Sequence, residues 1–202
     1  MDLFDAVAQR RSVKKFDPAH AMTEAEIRQL FQAVILSPTS YNIQNWRFVL
    51  VTDPERKAAL RAAGFGQAQF TDASLIVILC GDLHAHDRDP ARYWANADRA
   101  VRDMVVPMIR GHYGNNPGLQ HDEALRSCGM AAQTLMLAAK AMGYDTCPMV
   151  GFEFARVGEI INLPADHEIV MAVAVGKALE AARPRSGPLP LDEVLIRESF
   201  QA

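Results

Sequence analysis

The stretch that most constrains this chain is Gly129 to Met142, which is apolar or small at nearly every position. A helix with one apolar stripe can lie on the surface of a domain, whereas a helix apolar on all sides is buried on all sides. His121 to Met142 reads as a single long helix closed by Gly143, a residue that adopts the left-handed C-cap conformation without a Cβ penalty. A chain of 202 residues has little material with which to wrap such a helix. The expectation is a core helix that also meets a second subunit. Half of the residues are apolar but only 7% are aromatic, so close-packed Ala and Met matter more to this core than bulky rings.

The same composition excludes several classes. High apolar content with a net charge of −3 is incompatible with a disordered chain. Twelve Gly and eleven Pro without a period exclude a collagen-like one. A pI near 6.1 argues against nucleic acid as partner, because counterion release needs a basic surface. Cys80, Cys128 and Cys147 are odd in number and form no C-x-x-C, which points to a reducing compartment. The longest apolar run, Ser74 to Cys80, is far below the roughly 20 residues that cross a bilayer. Met1 to Asp5 shows no secretory pattern. The expectation is a cytoplasmic protein with no membrane partner.

Local patterns give the elements. Leu3 to Gln9 reads as a short helix with Leu3, Phe4 and Val7 as its apolar stripe. Thr23 and Glu26 form a capping box ahead of Ile27, Leu30, Phe31, Val34 and Ile35, which recur at helical spacing. Ser37-Pro38 stops that helix, since a residue before proline is pushed out of the α region. Arg47 to Thr52 reads as a strand, Pro54 to Ala63 as a helix, and Leu75 to Cys80 as a fully buried strand. Pro90 to Ile109 reads as helical, bent or broken at Pro107, followed by a loop from His112 to Gly118. Ala155 to Ile161 reads as a helix and Glu168 to Val175 as a strand. Lys177 to Ala202 is broken up by Pro, Arg and Gly yet carries Val194, Leu195, Ile196 and Phe200, so it must dock on something. Helices outnumber strands and do not alternate with them, which gives one α+β domain over residues 1–202.

Three segments carry candidate chemistry. Arg10-Arg11-Ser12-Val13-Lys14-Lys15 concentrates cations, and Arg183 and Arg185 form a second basic group. Both suit a phosphate, which arginine binds bidentately; the alternative is a solvated helix end. Ser37 to Trp46 offers hydroxyls and amides that match the edge of a heterocycle, or else a capped turn. Asp145 to Phe152 brings Gly151 and free backbone N–H groups to a possible flat ligand, or is an ordinary turn. Ser12 to Lys15 formally fits the S-x-x-K of serine acylases, but the companion S-D-N and K-T-G are missing. Asp82 to Asp87 holds two histidines and reads as a solvated acidic loop rather than a metal site. Cys128 and Cys147 read as buried small hydrophobes and Phe70 as core, with His112 and Tyr113 in a loop.

Taken together and in order, these segments resemble the nitroreductase family of FMN-dependent oxidoreductases. Arg10 to Phe16 matches R-[RH]-S-x-[RK]-x-F, and Ser37 to Trp46 matches S-P-[ST]-S-x-N-x-Q-P-W, with Asn45 in place of the proline. Gly143, Pro148, Met149 and Gly151-Phe152 match G-x-x-x-x-P-[IM]-x-G-F, with Val150 where some members carry glutamate or glycine. Gly176, Arg183, Arg185 and Leu189-Pro190-Leu191 match the family's tail.

The resemblance implies a mixed, mainly antiparallel sheet flanked by helices, in an intertwined homodimer whose exchanged tail (177–202) embraces the partner. It implies FMN as cofactor, NADH or NADPH as donor, and ping-pong hydride transfer to a nitroaromatic, quinone or activated alkene. Arg10, Arg183 and Arg185 would hold the FMN phosphate, with Arg11, Ser12 and Lys14 on the ribityl, phosphate and pyrimidine side. Pro38, Thr39, Ser40 and Asn42 would come from the partner subunit. Pro148, Met149, Val150 and Gly151 would lie against the ring, a backbone N–H near Val150 or Gly151 facing N5. Gln69, or Gln67, would meet the pyrimidine edge. No catalytic side chain and no metal ligand is expected. Reductive dehalogenation, flavin breakdown, or flavin binding without turnover stay open as alternatives.

Overall fold

The computed structural model describes residues 1–200. Gln201 and Ala202, the last two positions of the expected tail, lie outside the described residues. Four strands form one sheet in the order β1 (Trp46–Val51), β2 (Leu75–Asp82), β4 (His167–Gly176), β3 (Asp145–Met149), each pair antiparallel. A one-residue parallel bridge between Ser12 and Thr146 makes the pairing mixed at the β3 edge.

Both faces of the sheet are covered, which explains why β2 reads as an unbroken apolar run. Ile76, Ile78 and Cys80 pack with Leu60, Phe70, Cys147 and Val157, beneath α3 (Pro54–Ala63), α4 (Gln69–Asp72) and α8 (Phe154–Ile160). Leu75, Val77 and Leu79 pack on the opposite face with Leu30, Val34 and Leu135 of α2 (Glu24–Val34) and α7 (Pro117–Ala141). Gly81 lies where β2 meets α7. A Cβ there would come within 2.5 Å of Ala124 Cβ, so close packing of helix on strand requires the glycine.

The capping box of α2 forms as the sequence predicts. Glu26 N donates to Thr23 Oγ1 at 3.2 Å, and Thr23 N donates to Glu26 Oε2 at 2.8 Å. Tyr144 Oη donates to the other Glu26 oxygen at 2.7 Å. These bonds to the ionised form, that from Tyr144 foremost, lower the Glu26 pKa from 4.5 to about 2. The stabilisation is therefore present above pH 4.5 and lost as pH falls toward 2. In urea unfolding, Glu26→Gln is expected to be less stable than the parent at pH 6, and the gap should close between pH 4.5 and 2. A gap independent of pH would show that the carboxylate charge plays no part.

Elsewhere the structure corrects the sequence reading. The break expected at Pro107 falls earlier. The short helix α5 (Ala85–Arg88) and a 3-10 turn over Pro90–Trp94 come first, and α6 runs unbroken from Arg99 to Tyr113 with Pro107 inside it. Pro107 and Asp103 lie on the exposed side of α6, where water can satisfy the carbonyl that proline leaves without a donor. His112 and Tyr113 thus end a helix rather than occupy a loop, and Tyr113 is buried. Helix α7 starts at Pro117, because Asn116 caps it through Leu119 N at 3.1 Å and Pro117 fits its first turn. Asp145 to Met149 is an edge strand.

Several apolar side chains stay exposed within the single chain. In α1 (Leu3–Gln9), Ala6 is buried while Leu3, Phe4 and Val7 are exposed. Within one chain α7 buries the face bearing Cys128, Ala131, Leu135 and Ala139, and Leu125 and Met130 face outward. Val194, Leu195, Ile196 and Phe200 of the tail are exposed as well. Among the described residues no helix is long and apolar enough to cross a membrane.

Candidate functional site

The site begins where the chain leaves α1. Residues 10–16 are stitched between two neighbours: Val13 N donates to the Thr146 carbonyl of β3 at 3.0 Å, and Leu179 N donates to the Lys15 carbonyl at 3.0 Å. This brings residues 10–15 against residues 180–188, some 170 positions later, around a cavity of about 650 Å³. Arg10, Arg11, Ser12, Lys14, Arg183 and Arg185 all line it. Lys15 lines it too, paired with Glu180 at 3.0 Å. Among the described residues the other five cations have no carboxylate within ion-pair distance. Five uncompensated positive charges and a hydroxyl around one cavity make a site for a doubly charged oxyanion such as a phosphate monoester.

The arginines also build the walls. Arg185 Nη2 donates to the carbonyls of Arg10 (2.9 Å), Val7 (3.2 Å) and Ala8 (3.2 Å), which caps the C-terminal end of α1. Arg11 donates to the Arg183 carbonyl. A guanidinium carries five N–H donors, so both arginines keep donors for a ligand.

Lys14 reaches from this cavity toward β3, with Nζ 3.4 Å from Cys147 Sγ. Beyond Cys147, Pro148 is half-buried and Met149 packs into the core, so only Val150 and Gly151 are exposed. Gln67 Nε2 donates to the Gly151 carbonyl at 2.7 Å and to the Gly64 carbonyl at 3.1 Å. Gln69, by contrast, is buried within α4.

None of residues 37–46 lines the basic cavity. Thr39 Oγ1 accepts from Gln44 N at 3.0 Å, and Ser40 N donates to Glu123 Oε1 at 3.1 Å. Pro38 and Asn42 are exposed, and Asn42 Nδ2 donates to the Tyr93 carbonyl at 2.7 Å. Tyr41, Asn42 and Gln44 have φ of +50°, +54° and +43°, a conformation costing about 1–3 kcal/mol per non-glycine residue.

Two features escaped the sequence. Asp82, expected in a solvated loop, is buried: Arg47 Nη2 lies 2.9 Å and Arg88 Nε 3.1 Å from its Oδ2. The antiparallel register of β1 on β2, which sets Arg47 opposite Cys80, brings that partner in. Glu123 is buried beneath the 37–46 loop and also accepts from Ser127 Oγ at 2.8 Å. Its spacing of four from Ser127 on a helix was the available sign. Cys80 and Cys128 are buried as expected, and burial pushes both thiols up to about 12, which leaves them unreactive. Cys147 and Phe70 are buried too. Among the described residues no group of three His, Cys, Asp or Glu side chains is arranged to hold a metal ion.

Comparison with known proteins completes the picture. Residues 7–177 match the model of the nitroreductase family. Protein DrgA of Synechocystis sp. is 52% identical over 200 residues, covering 96% of this chain and 95% of that one. The CLA biosynthesis enone reductase of Lactiplantibacillus plantarum is 30% identical, covering 89% of this chain and 87% of its own. A protein of Exiguobacterium sibiricum solved in complex with FMN superposes with a TM-score of 0.91 at 32% identity, over 97% of each chain.

Proposed function

Because the chain belongs to the nitroreductase family of FMN-dependent NAD(P)H oxidoreductases, we propose that it acts as a homodimer that reduces nitroaromatics, quinones or activated alkenes in a ping-pong cycle. The observation that carries this reading is the cavity with five unpaired cations and Ser12, a donor set suited to the FMN phosphate. When bound, FMN supplies the redox chemistry, taking a hydride from NADH or NADPH and passing reducing equivalents to the acceptor.

The protein's share is to bind, orient and tune. Arg10, Ser12, Arg183 and Arg185 hold the phosphate, while Arg11 contacts the ribityl side. Lys14, steadied by Cys147 Sγ at 3.4 Å, brings positive charge to the pyrimidine side, where it favours the electron-rich state. Pro148, Met149, Val150 and Gly151 form a wall against the ring. Val150 and Gly151 are exposed residues, and the N–H of one of them would donate to N5. Gln67, bonded to the Gly151 carbonyl, suits the pyrimidine edge better than the buried Gln69.

The second copy supplies Pro38, Thr39, Ser40 and Asn42, in keeping with their absence from the cavity of their own chain. It also covers the outward apolar residues of α7 and α1, Leu125, Met130 and Phe4 among them. In this reading residues 1–202 are one domain, and its tail lays Val194, Leu195 and Ile196 on the partner. The activated-alkene reading gains support from the enone reductase among the relatives.

Anaerobic mixing with NADH and then NADPH tests the proposal. The yellow of the bound flavin should bleach with at least one of them, and a quinone, nitroaromatic or enone should restore it. A flavin that neither nicotinamide bleaches would leave a binding protein without turnover, and a protein that binds no FMN would overturn the cofactor assignment.

A further inference from the structure

The 37–46 loop contains a conformational conflict that its own sequence does not resolve. Asparagine enters the left-handed region readily, but at Tyr41 and Gln44, with φ of +50° and +43°, the side chains oppose it. Bonds inside the loop, from Asn42 N to the Thr39 carbonyl (3.0 Å) and from Ile43 N to the Ser40 carbonyl (3.1 Å), make a single turn that a relaxed tyrosine could leave.

Gln44 is held by Thr39 Oγ1, which accepts its N–H at 3.0 Å, and by Arg47 Nη1, which donates to its carbonyl at 2.8 Å; at Tyr41 the restraint comes from outside the loop. Trp94 Nε1 donates to the Tyr41 carbonyl at 3.0 Å, and Asn42 Nδ2 donates to the Tyr93 carbonyl at 2.7 Å. The exchange is reciprocal, since each segment gives one side-chain N–H and receives one at a backbone carbonyl. The Tyr41 ring meets Tyr113 of α6 edge-on, with centroids 6.2 Å apart at 81°. Because Trp94 Nε1 bonds the carbonyl of the strained residue itself, a rotation of Tyr41 out of the left-handed region breaks that bond.

We infer that Trp94 and Asn42 are positioning residues. Their paired bonds hold Tyr41 and Asn42 in the left-handed conformation and so set the surface that residues 38–42 present. That this surface meets the flavin rests on the functional reading above; the clasp itself does not. Asn42 then acts on the cofactor through the loop's shape, because its amide is already engaged by Tyr93.

The test uses the full-length dimer and Trp94→Phe, which keeps an aromatic ring and removes one N–H. Hydrogen exchange at the amides of Asn42, Ile43 and Gln44 should speed up by about fivefold or more, the scale of one lost hydrogen bond, with β1 and β2 unchanged. FMN titration of the apoprotein should show a dissociation constant raised by a similar factor, with an unchanged thermal midpoint. Asn42→Gly serves as the second variant, since glycine keeps the left-handed backbone while removing the amide, and it should behave alike. Unchanged exchange in both variants overturns the clasp. Faster exchange with unchanged FMN affinity overturns the positioning role. Failure of the parent protein to bind FMN would instead refute the functional reading, and the exchange result would still decide the clasp.

Discussion

Replacing Arg183 and Arg185 together with alanine is expected to weaken FMN binding by at least about a hundredfold and to change riboflavin binding far less. Each charged hydrogen bond to a phosphate contributes about 1.5–3 kcal/mol, and 1.4 kcal/mol is a factor of ten. Two such losses, adding, come to about a hundredfold or more. Riboflavin is the necessary control, because Arg185 also caps α1 through the carbonyls of Val7, Ala8 and Arg10. If the arginines only hold the tail in place, both ligands should weaken together. If they hold the phosphate, FMN should lose its advantage over riboflavin, and equilibrium titration of the apoprotein with each separates the two cases. Raised salt should weaken FMN binding to the parent more than to the double variant, since screening acts on the charges removed.

Leu79→Ala should cost about 2–5 kcal/mol of stability, the range for a fully buried leucine. Leu79 lies in the middle of β2, opposite Phe48 on one side and Met171 on the other, with its side chain in the cluster formed by α2 and α7. It has no exposure to solvent. The sheet is held from its other face by Ile76, Ile78 and Leu60, so the layers have little freedom to close on a void. For a chain of this size the loss lowers the melting temperature by about 2–4 °C per kcal/mol. Leu79→Met, which nearly conserves volume, should cost under about 1.5 kcal/mol. Thermal and urea unfolding of both variants check the pair. A loss below about 1 kcal/mol for the alanine variant would mean that α2 or α7 collapses into the space, contrary to a sheet clamped on both faces.

Much of the fold was legible because its signals are local. The capping box at Thr23 and Glu26, the helix Pro54–Ala63 and the β-branched run of β2 each depend on residues a few positions apart. The misreadings fall where a partner distant in the chain decides. Asp82 is a buried ion-pair centre because β1 delivers Arg47 to it across the sheet. Asp145–Met149 is short and contains Pro148, which gives a weak strand pattern; it is a strand because Val173 and its neighbours on β4 pair with it. Pro107 stays inside α6 because the exposed side of that helix lets water replace a partner, and exposure is a tertiary property.

The candidate site divides in the same way. The motifs marked Arg10 to Lys14, Ser37 to Trp46 and Pro148 to Gly151 as segments that carry chemistry, but only the fold gathers Arg183 and Arg185 onto the first and leaves the second outside the cavity. By itself the amino-acid sequence determined the α+β class, the family and the apolar character of the helix ending at Met142. The tertiary structure decided which face of that helix the chain itself covers. One face is buried on the sheet, while Leu125 and Met130 are exposed within the single chain. A hydropathy pattern records how much apolar surface must be covered. Which neighbour covers each face is decided by contacts between residues far apart in the chain, whose energy appears only when the layers pack.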